Sequence, residues 1–218
     1  MKRWPIVAAA VGIAAGASAS FYQYDDGTSE EGLTSSGSNL NCIYLTQYRI
    51  LPGGETLNSI DLTWGDRFAV SIGNGLPVQV LLMSDPNQDG NPSDSQVIQA
   101  IDTVTVNVGT DTFNNYSLTP VSMSVGTSFF VGAFIPNMPS GEAWTLIDTE
   151  ATGKEVNNWW TETGAPGSAS YSSLGVFGAN RTFMVRANAS PVPEPATMTA
   201  LALGAAGLLL RRRGSGRT

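Results

Sequence analysis

The chain contains no histidine and only one cysteine, Cys42, in 218 residues. Histidine is the commonest general base and metal ligand near neutral pH. Without it neither a Ser-His-Asp nor a Cys-His triad can be assembled. A lone cysteine excludes an intramolecular disulfide. Flanked by Leu40 and Ile43-Tyr44-Leu45, Cys42 is expected as a buried thiol on a strand rather than a reactive or intermolecular one. Basic residues are scarce too, eleven Lys and Arg against eighteen Asp and Glu. Six of the eleven (Lys2, Arg3, Arg211, Arg212, Arg213, Arg217) sit at the two ends. Between them only Arg49, Arg67, Lys154, Arg181 and Arg186 oppose seventeen acids. A net charge of about −12 over that stretch repels phosphate backbones and anionic headgroups, which removes nucleic acid from the expected partners.

Sustained helical periodicity is the next absence. From Ser20 to Ser190 the pattern is instead short β-rich runs broken by Gly, Pro, Asn and Asp. Strands are expected at Phe21–Tyr24, Ile43–Ile50, Leu57–Trp64, Phe68–Ile72, Pro77–Met83 and Gln96–Val108. Further ones are expected at Tyr116–Leu118, Val121–Val125, Ser128–Ile135, Trp144–Ile147, Trp159-Trp160 and Thr182–Ala187, while the Ser/Gly-rich Thr28–Asn41 reads as loop. Ile60, Leu62 and Trp64 alternate with Asp61 and Thr63, and Val104, Val106 and Val108 with Thr105 and Asn107. Phe129–Ile135 is apolar enough to be buried on both faces. Ten or so short strands at this spacing predict an all-β fold, an antiparallel β-sandwich of jelly-roll or immunoglobulin-like type. The missing Cys pair excludes the disulfide-bonded immunoglobulin domain, and no internal repeat suggests a propeller or solenoid.

Long apolar runs occur only at the ends. Lys2-Arg3, the apolar Ile6–Gly16 and Ala17-Ser18-Ala19 form a secretory signal peptide over residues 1–19, with cleavage between Ala19 and Ser20. Residues 20–190 then form one ectodomain, and residues 191–218 a C-terminal device. That device is Pro191-Val192-Pro193-Glu194-Pro195, the uncharged Ala196–Leu210, and Arg211-Arg212-Arg213. Fifteen helical residues span roughly 22 Å, short of a ~30 Å hydrocarbon core unless the arginines snorkel or the bilayer thins. The expected result is one C-terminal transmembrane helix. The arginines hold its end cytoplasmic by the positive-inside rule.

These residues resemble the PEP-CTERM sorting signal of Gram-negative, exopolysaccharide-producing bacteria. The resemblance rests on Val192 and the Pro193-Glu194-Pro195 motif, an apolar helix and an Arg cluster, in that order. It implies delivery by the general secretion machinery and processing by an exosortase, a membrane-embedded cysteine-type transpeptidase. The product would be held in the envelope, or released to the cell surface or matrix among exopolysaccharide. It says nothing of the ectodomain.

Within the ectodomain, Asp85, Asn87 and Asp89 occupy positions one, three and five of a calcium-type loop, with Gly90 at six. Position twelve is Gln96, and Asp94 at ten is the only later carboxylate. The choice lies between calcium and a polar hairpin loop whose side chains cap their own backbone; no other cofactor is implied. Asp25-Asp26 and Glu30-Glu31 are either a glycosidase acid/base set or, more simply, a solvated face. Among Trp64, Trp144, Trp159, Trp160 and Tyr171, the Trp159-Trp160 pair is the candidate glycan contact. Adjacent strand residues face opposite ways, so one ring leaves the core if the other enters. Core and edge packing is the alternative. The chain is expected to be a non-enzymatic surface or matrix protein, or else a carbohydrate-binding module. A secreted hydrolase is disfavoured by the missing histidine and the lack of a nucleophile motif.

Overall fold

The computed structural model describes residues 20–66 and 69–191. Thirteen strands account for nearly half of them: β1 (Ser20–Tyr22), β2 (Glu31–Thr34), β3 (Leu40–Arg49), β4 (Thr56–Leu62), β5 (Pro77–Ser84), β6 (Gln96–Val104), β7 (Asn114–Ser122), β8 (Ser128–Met138), β9 (Ala143–Asp148), β10 (Asn158–Thr161), β11 (Ser172–Ser173), β12 (Thr182–Phe183) and β13 (Val185–Ser190). The only helical turns among these residues are 3₁₀ segments at Pro92–Asp94, Glu155–Asn157 and Leu174–Phe177. Every named strand pair is antiparallel. The chain is therefore all-β, and its layers are consistent with a β-sandwich.

Three sheets are formed. One has the order β1-β13-β4-β7, the second β11-β10-β3-β8-β5-β6, and the third, smaller one β12-β9-β2. The two larger sheets face each other across one core, and period-two alternation decides which side chains enter it. Tyr44 and Tyr48 of β3, Val80 and Leu82 of β5, and Phe129, Val131 and Ala133 of β8 point inward. They meet Leu57, Ile60 and Leu62 of β4 and Val185, Ala187 and Ala189 of β13. The alternate residues Ile43, Leu45, Leu81, Met83 and Phe130 form a second cluster on the outer face of the six-stranded sheet, with Ala169 over it. This is why β3, β5 and β8 read as nearly continuous apolar runs: both faces are covered. Burial of the Tyr44 and Tyr48 hydroxyls pushes both phenols well above their usual range.

Four departures from the sequence expectation have local causes. Thr28–Asn41 is not all loop. It contains β2, which pairs with β9 and buries only Leu33, too little to produce a visible period. Among the described residues, Phe68–Ile72 holds no strand, only an isolated bridge from Ser71 to Ala143, and Val70 is exposed. Tyr116–Leu118 and Val121–Val125 merge into β7, which ends at Ser122. Finally, β6 ends at Val104, and the alternation beyond has the opposite phase to a core strand. Thr105 is buried while Val104 and Val106 are exposed. The Thr105 hydroxyl explains the inversion, accepting from Leu76 N–H at 3.0 Å and donating to Gly73 O at 2.6 Å. The expected signal peptide (1–19) and the expected C-terminal helix, with the whole segment from Val192 onward, lie outside the described residues. Among those described, no helix is long and apolar enough to cross a membrane.

Candidate ligand cleft and acidic loop

A cleft of about 440 Å³ opens where the small sheet meets β10. Its walls carry Glu31 and Leu33 from β2, Trp160 from β10, Glu162 just beyond it, Phe177 from the last 3₁₀ turn, and Arg181. Trp160 and Phe177 lie ring against ring, centroids 5.2 Å apart and tilted by 38°. Trp160 is half-buried, whereas Phe177 is 46% exposed. The Arg181 guanidinium grips Glu31 in a bidentate fork, Nε to Oε2 at 3.0 Å and Nη2 to Oε1 at 2.8 Å. Its Nη1 donates to Phe177 O, which ties the aromatic turn to the charged rim. Glu162 accepts from Ser36 N–H at 2.6 Å and from the Ser36 hydroxyl. An aromatic floor with planar charged groups at its edge matches a ligand with one apolar face and several hydroxyls.

Trp159 and Trp160 therefore do not share a surface. Trp160 packs against the central core and lines the cleft, whereas Trp159 joins Tyr171 on the outer cluster. Trp64 and Trp144 are fully buried. Trp64 Nε1 donates to the Tyr116 hydroxyl at 3.0 Å, which satisfies it as a core residue. Sequence reasoning missed Glu31, Phe177 and Arg181 as cleft residues. Arg181 was in principle visible as one of the few bases in a strongly acidic stretch.

The acidic groups Asp25-Asp26 and Glu30-Glu31 have structural partners. Asp25 is not part of a solvated face, being 4% exposed and ion-paired with Arg186. Arg186 Nε reaches its two oxygens at 3.0 and 3.2 Å, and the guanidinium stacks on Phe113 at 3.8 Å. Burial raises the Asp25 carboxyl above its usual range, with the Arg186 hydrogen bonds and charge pulling the other way. Asp26 is exposed and caps Thr28 N–H at 2.9 Å, which holds its carboxyl below the usual range. Glu30 accepts from Thr149 N–H at 2.9 Å, and Glu31 is held by Arg181. Cys42 is fully buried, and burial pushes its thiol up to about 12, so thiolate is scarce at neutral pH.

The β5–β6 loop gathers three carboxylates. One oxygen from each of Asp85, Asp89 and Asp94 lies within 4.8 Å of the others. Asp94 is returned to Asp85 by the Pro92–Asp94 turn, which Asn91 caps through Ser93 N–H at 3.0 Å. Asn87 orients Asp89, accepting from its N–H at 3.0 Å and donating to its Oδ2 at 3.1 Å. Gln88 and Gly90 take positive φ, and the Gln88 side chain ties the loop to Ser128 N–H at 2.6 Å and to Asp85 O.

At the other end of the ectodomain, β13 stops at Ser190, where the Pro-rich run begins. Residues 191–213 match the family model of the PEP-CTERM protein-sorting motif. The PEP-CTERM motif implies export, envelope association and an exosortase as processing partner. No curated protein matches the chain. The solved structures that resemble its fold include two of Cwp84. One is the clostridial cysteine protease Cwp84 after propeptide cleavage, at 13% identity and a TM-score of 0.57. The other comprises the cysteine protease and lectin-like domains of Cwp84, a surface-layer-associated protein of Clostridium difficile, at 14% identity and a TM-score of 0.54. Each alignment covers 80% of this chain but only 40% and 36% of the other, so the chain spans well under half of either. At this identity the likeness is one of fold alone.

Proposed function

We propose that this is an exported cell-surface or matrix protein, with a signal peptide (1–19), one ectodomain (20–190) and a PEP-CTERM segment (191–218) presented to an exosortase. The single observation that carries this reading is the sorting-motif match at residues 191–213. The apolar run 196–210 serves as the C-terminal membrane anchor on which processing acts. Mass spectrometry of the mature protein from its native host should find a new C-terminus, or a modification, near Pro193–Pro195. Mature protein that uniformly retains Arg211–Arg213 would refute processing.

The ectodomain acts by binding rather than by catalysis. Two observations favour that: the cleft carboxylates are engaged by Arg181 and Ser36, and the only thiol is buried. Its strand order fits the jelly-roll alternative rather than the immunoglobulin-like one. With β2 and β9–β12 set aside as insertions, eight strands interleave as β1-β13-β4-β7 facing β3-β8-β5-β6, the double Greek key common in lectin and capsid domains.

A carbohydrate-binding role is the second reading, favoured by the Trp160–Phe177 floor and its charged rim. The lectin-like domains of one structural neighbour accord with it. Exopolysaccharide is then the partner. A glycan array probed with the full chain in detergent should give signal that Trp160→Ala lowers by about tenfold, the loss of one stacking contact of roughly 1–2 kcal/mol. Trp159→Ala, on the opposite face, should leave that signal within a factor of about two. Equal loss from both variants would sink the cleft as the site.

A further inference from the structure

We propose that the β5–β6 loop is a calcium site, with Asp85, Asp89 and Asp94 as its protein carboxylate ligands. Asp85 is the residue that most needs a cation. It is 1% exposed, yet its Oδ1 has no hydrogen-bond partner, and its Oδ2 has one, Gly90 N–H at 3.0 Å. A carboxylate taken out of water is costly unless it is paired or bound to a metal. Here the neighbours are two more carboxylates, within 4.8 Å. Among the described residues, no Lys or Arg pairs with any of the three. Like charges so close repel one another, and a divalent cation removes both that repulsion and the orphaned oxygen.

A self-capping polar loop explains only part of this geometry. It accounts for Asn87 on Asp89, for Asp89 Oδ1 accepting from Asn91 N–H at 2.7 Å, and for Asn91 on Ser93. It leaves Asp85 Oδ1 and Asp94 without a role. The metal reading uses both. Ca²⁺ binds oxygen at about 2.3–2.6 Å, so ligands on opposite sides of one ion stand roughly 4.6–5.2 Å apart. Three oxygens within 4.8 Å of one another can all reach one such ion. Mg²⁺, at about 2.0–2.1 Å, draws opposite ligands to roughly 4.2 Å and demands a stricter octahedron. Three carboxylates without a bidentate Glu at position twelve place the loop with the weaker extracellular sites, with Kd on the order of 10⁻⁴–10⁻³ M. Such a site fills only where calcium approaches millimolar levels, which for an exported protein is after export.

The test uses the full chain in detergent, stripped with EDTA and titrated with CaCl₂, with MgCl₂ as the comparison. Calorimetry should show one Ca²⁺ per chain. The melting temperature should rise by roughly 5–10 °C at a hundredfold excess over Kd. Asp89→Ala and Asp94→Ala alter exposed side chains, so the folded state should survive while affinity falls by about tenfold or more. Glu150→Gln, a surface carboxylate elsewhere, should behave as the parent chain. No heat and no shift with calcium would overturn the site. So would an equal shift from MgCl₂, or one unchanged in the Asp89→Ala/Asp94→Ala double variant, because either is generic screening of a strongly acidic surface.

Discussion

Replacing Asn158 with alanine should cost more than any other single polar deletion in the β10 region, and the structure supplies the size of the loss. Asn158 is fully buried. Its Oδ1 accepts from the Thr46 hydroxyl at 2.8 Å, the Thr182 hydroxyl at 3.2 Å and Phe183 N–H at 3.1 Å. Its amide donates to Lys154 O at 2.8 Å. One side chain thus ties β10 to β3 and to β12, and through β12 to the small sheet that walls the cleft. Alanine would orphan the Thr46 hydroxyl and Phe183 N–H on fully buried residues and leave the Thr182 hydroxyl only a 3.4 Å contact to Phe183 O, while Lys154 O keeps Asn157 N–H at 2.9 Å. At about 1–1.5 kcal/mol per orphaned donor, and less for Thr182, the expected loss is roughly 2–4 kcal/mol. Thr46→Val removes one donor and leaves Oδ1 two others, so it should cost only about 1 kcal/mol. Urea melts of both variants and of the double variant measure this, with an unchanged m-value showing that the unfolded state is not responsible. If Asn158→Ala unfolds within about 1 kcal/mol of the parent chain, the node carries no such weight and the reasoning fails.

Two further outcomes follow from packing and burial. Gly132→Ala would put a Cβ 1.9 Å from Tyr44 O in the central β3–β8 pair, where backbone cannot swing aside. A loss of more than about 3 kcal/mol is expected, against near-neutrality for Gly73→Ala, which has open space. Thermal melts compare the two, and equal melting temperatures would contradict the contact. Cys42, buried and with its thiol pushed up to about 12, should resist a thiol reagent at pH 8 until urea unfolds the chain. Labelling of the folded chain at the rate of the unfolded one would show that the thiol is reachable.

The sorting motif, the strand-rich character and the lack of a histidine-based triad were all legible in the sequence, because each is written in neighbouring residues or in composition. Pro193-Glu194-Pro195 with its apolar run and arginines is contiguous, and a period of two needs no partner strand to be seen. The same holds for the β5–β6 loop as a cluster of side-chain oxygens, since Asp85, Asn87 and Asp89 stand two apart. Tertiary structure alone decided the rest. Arg181 meets Glu31 across 150 positions and Arg186 meets Asp25 across 161, contacts that no local pattern encodes. Phe177 became a cleft residue only because Arg181 pins its turn over Trp160. Alternation could say that Trp159 and Trp160 part company, but which of them lined the cleft depended on which face β3 and β11 presented to β10. Asp85 looked like any other loop acid until folding buried it beside Asp94 and left one oxygen without a partner. The physical reason is common to all of these: pattern along the chain sets conformation and address, whereas burial, desolvation and charge pairing depend on what long-range folding brings alongside.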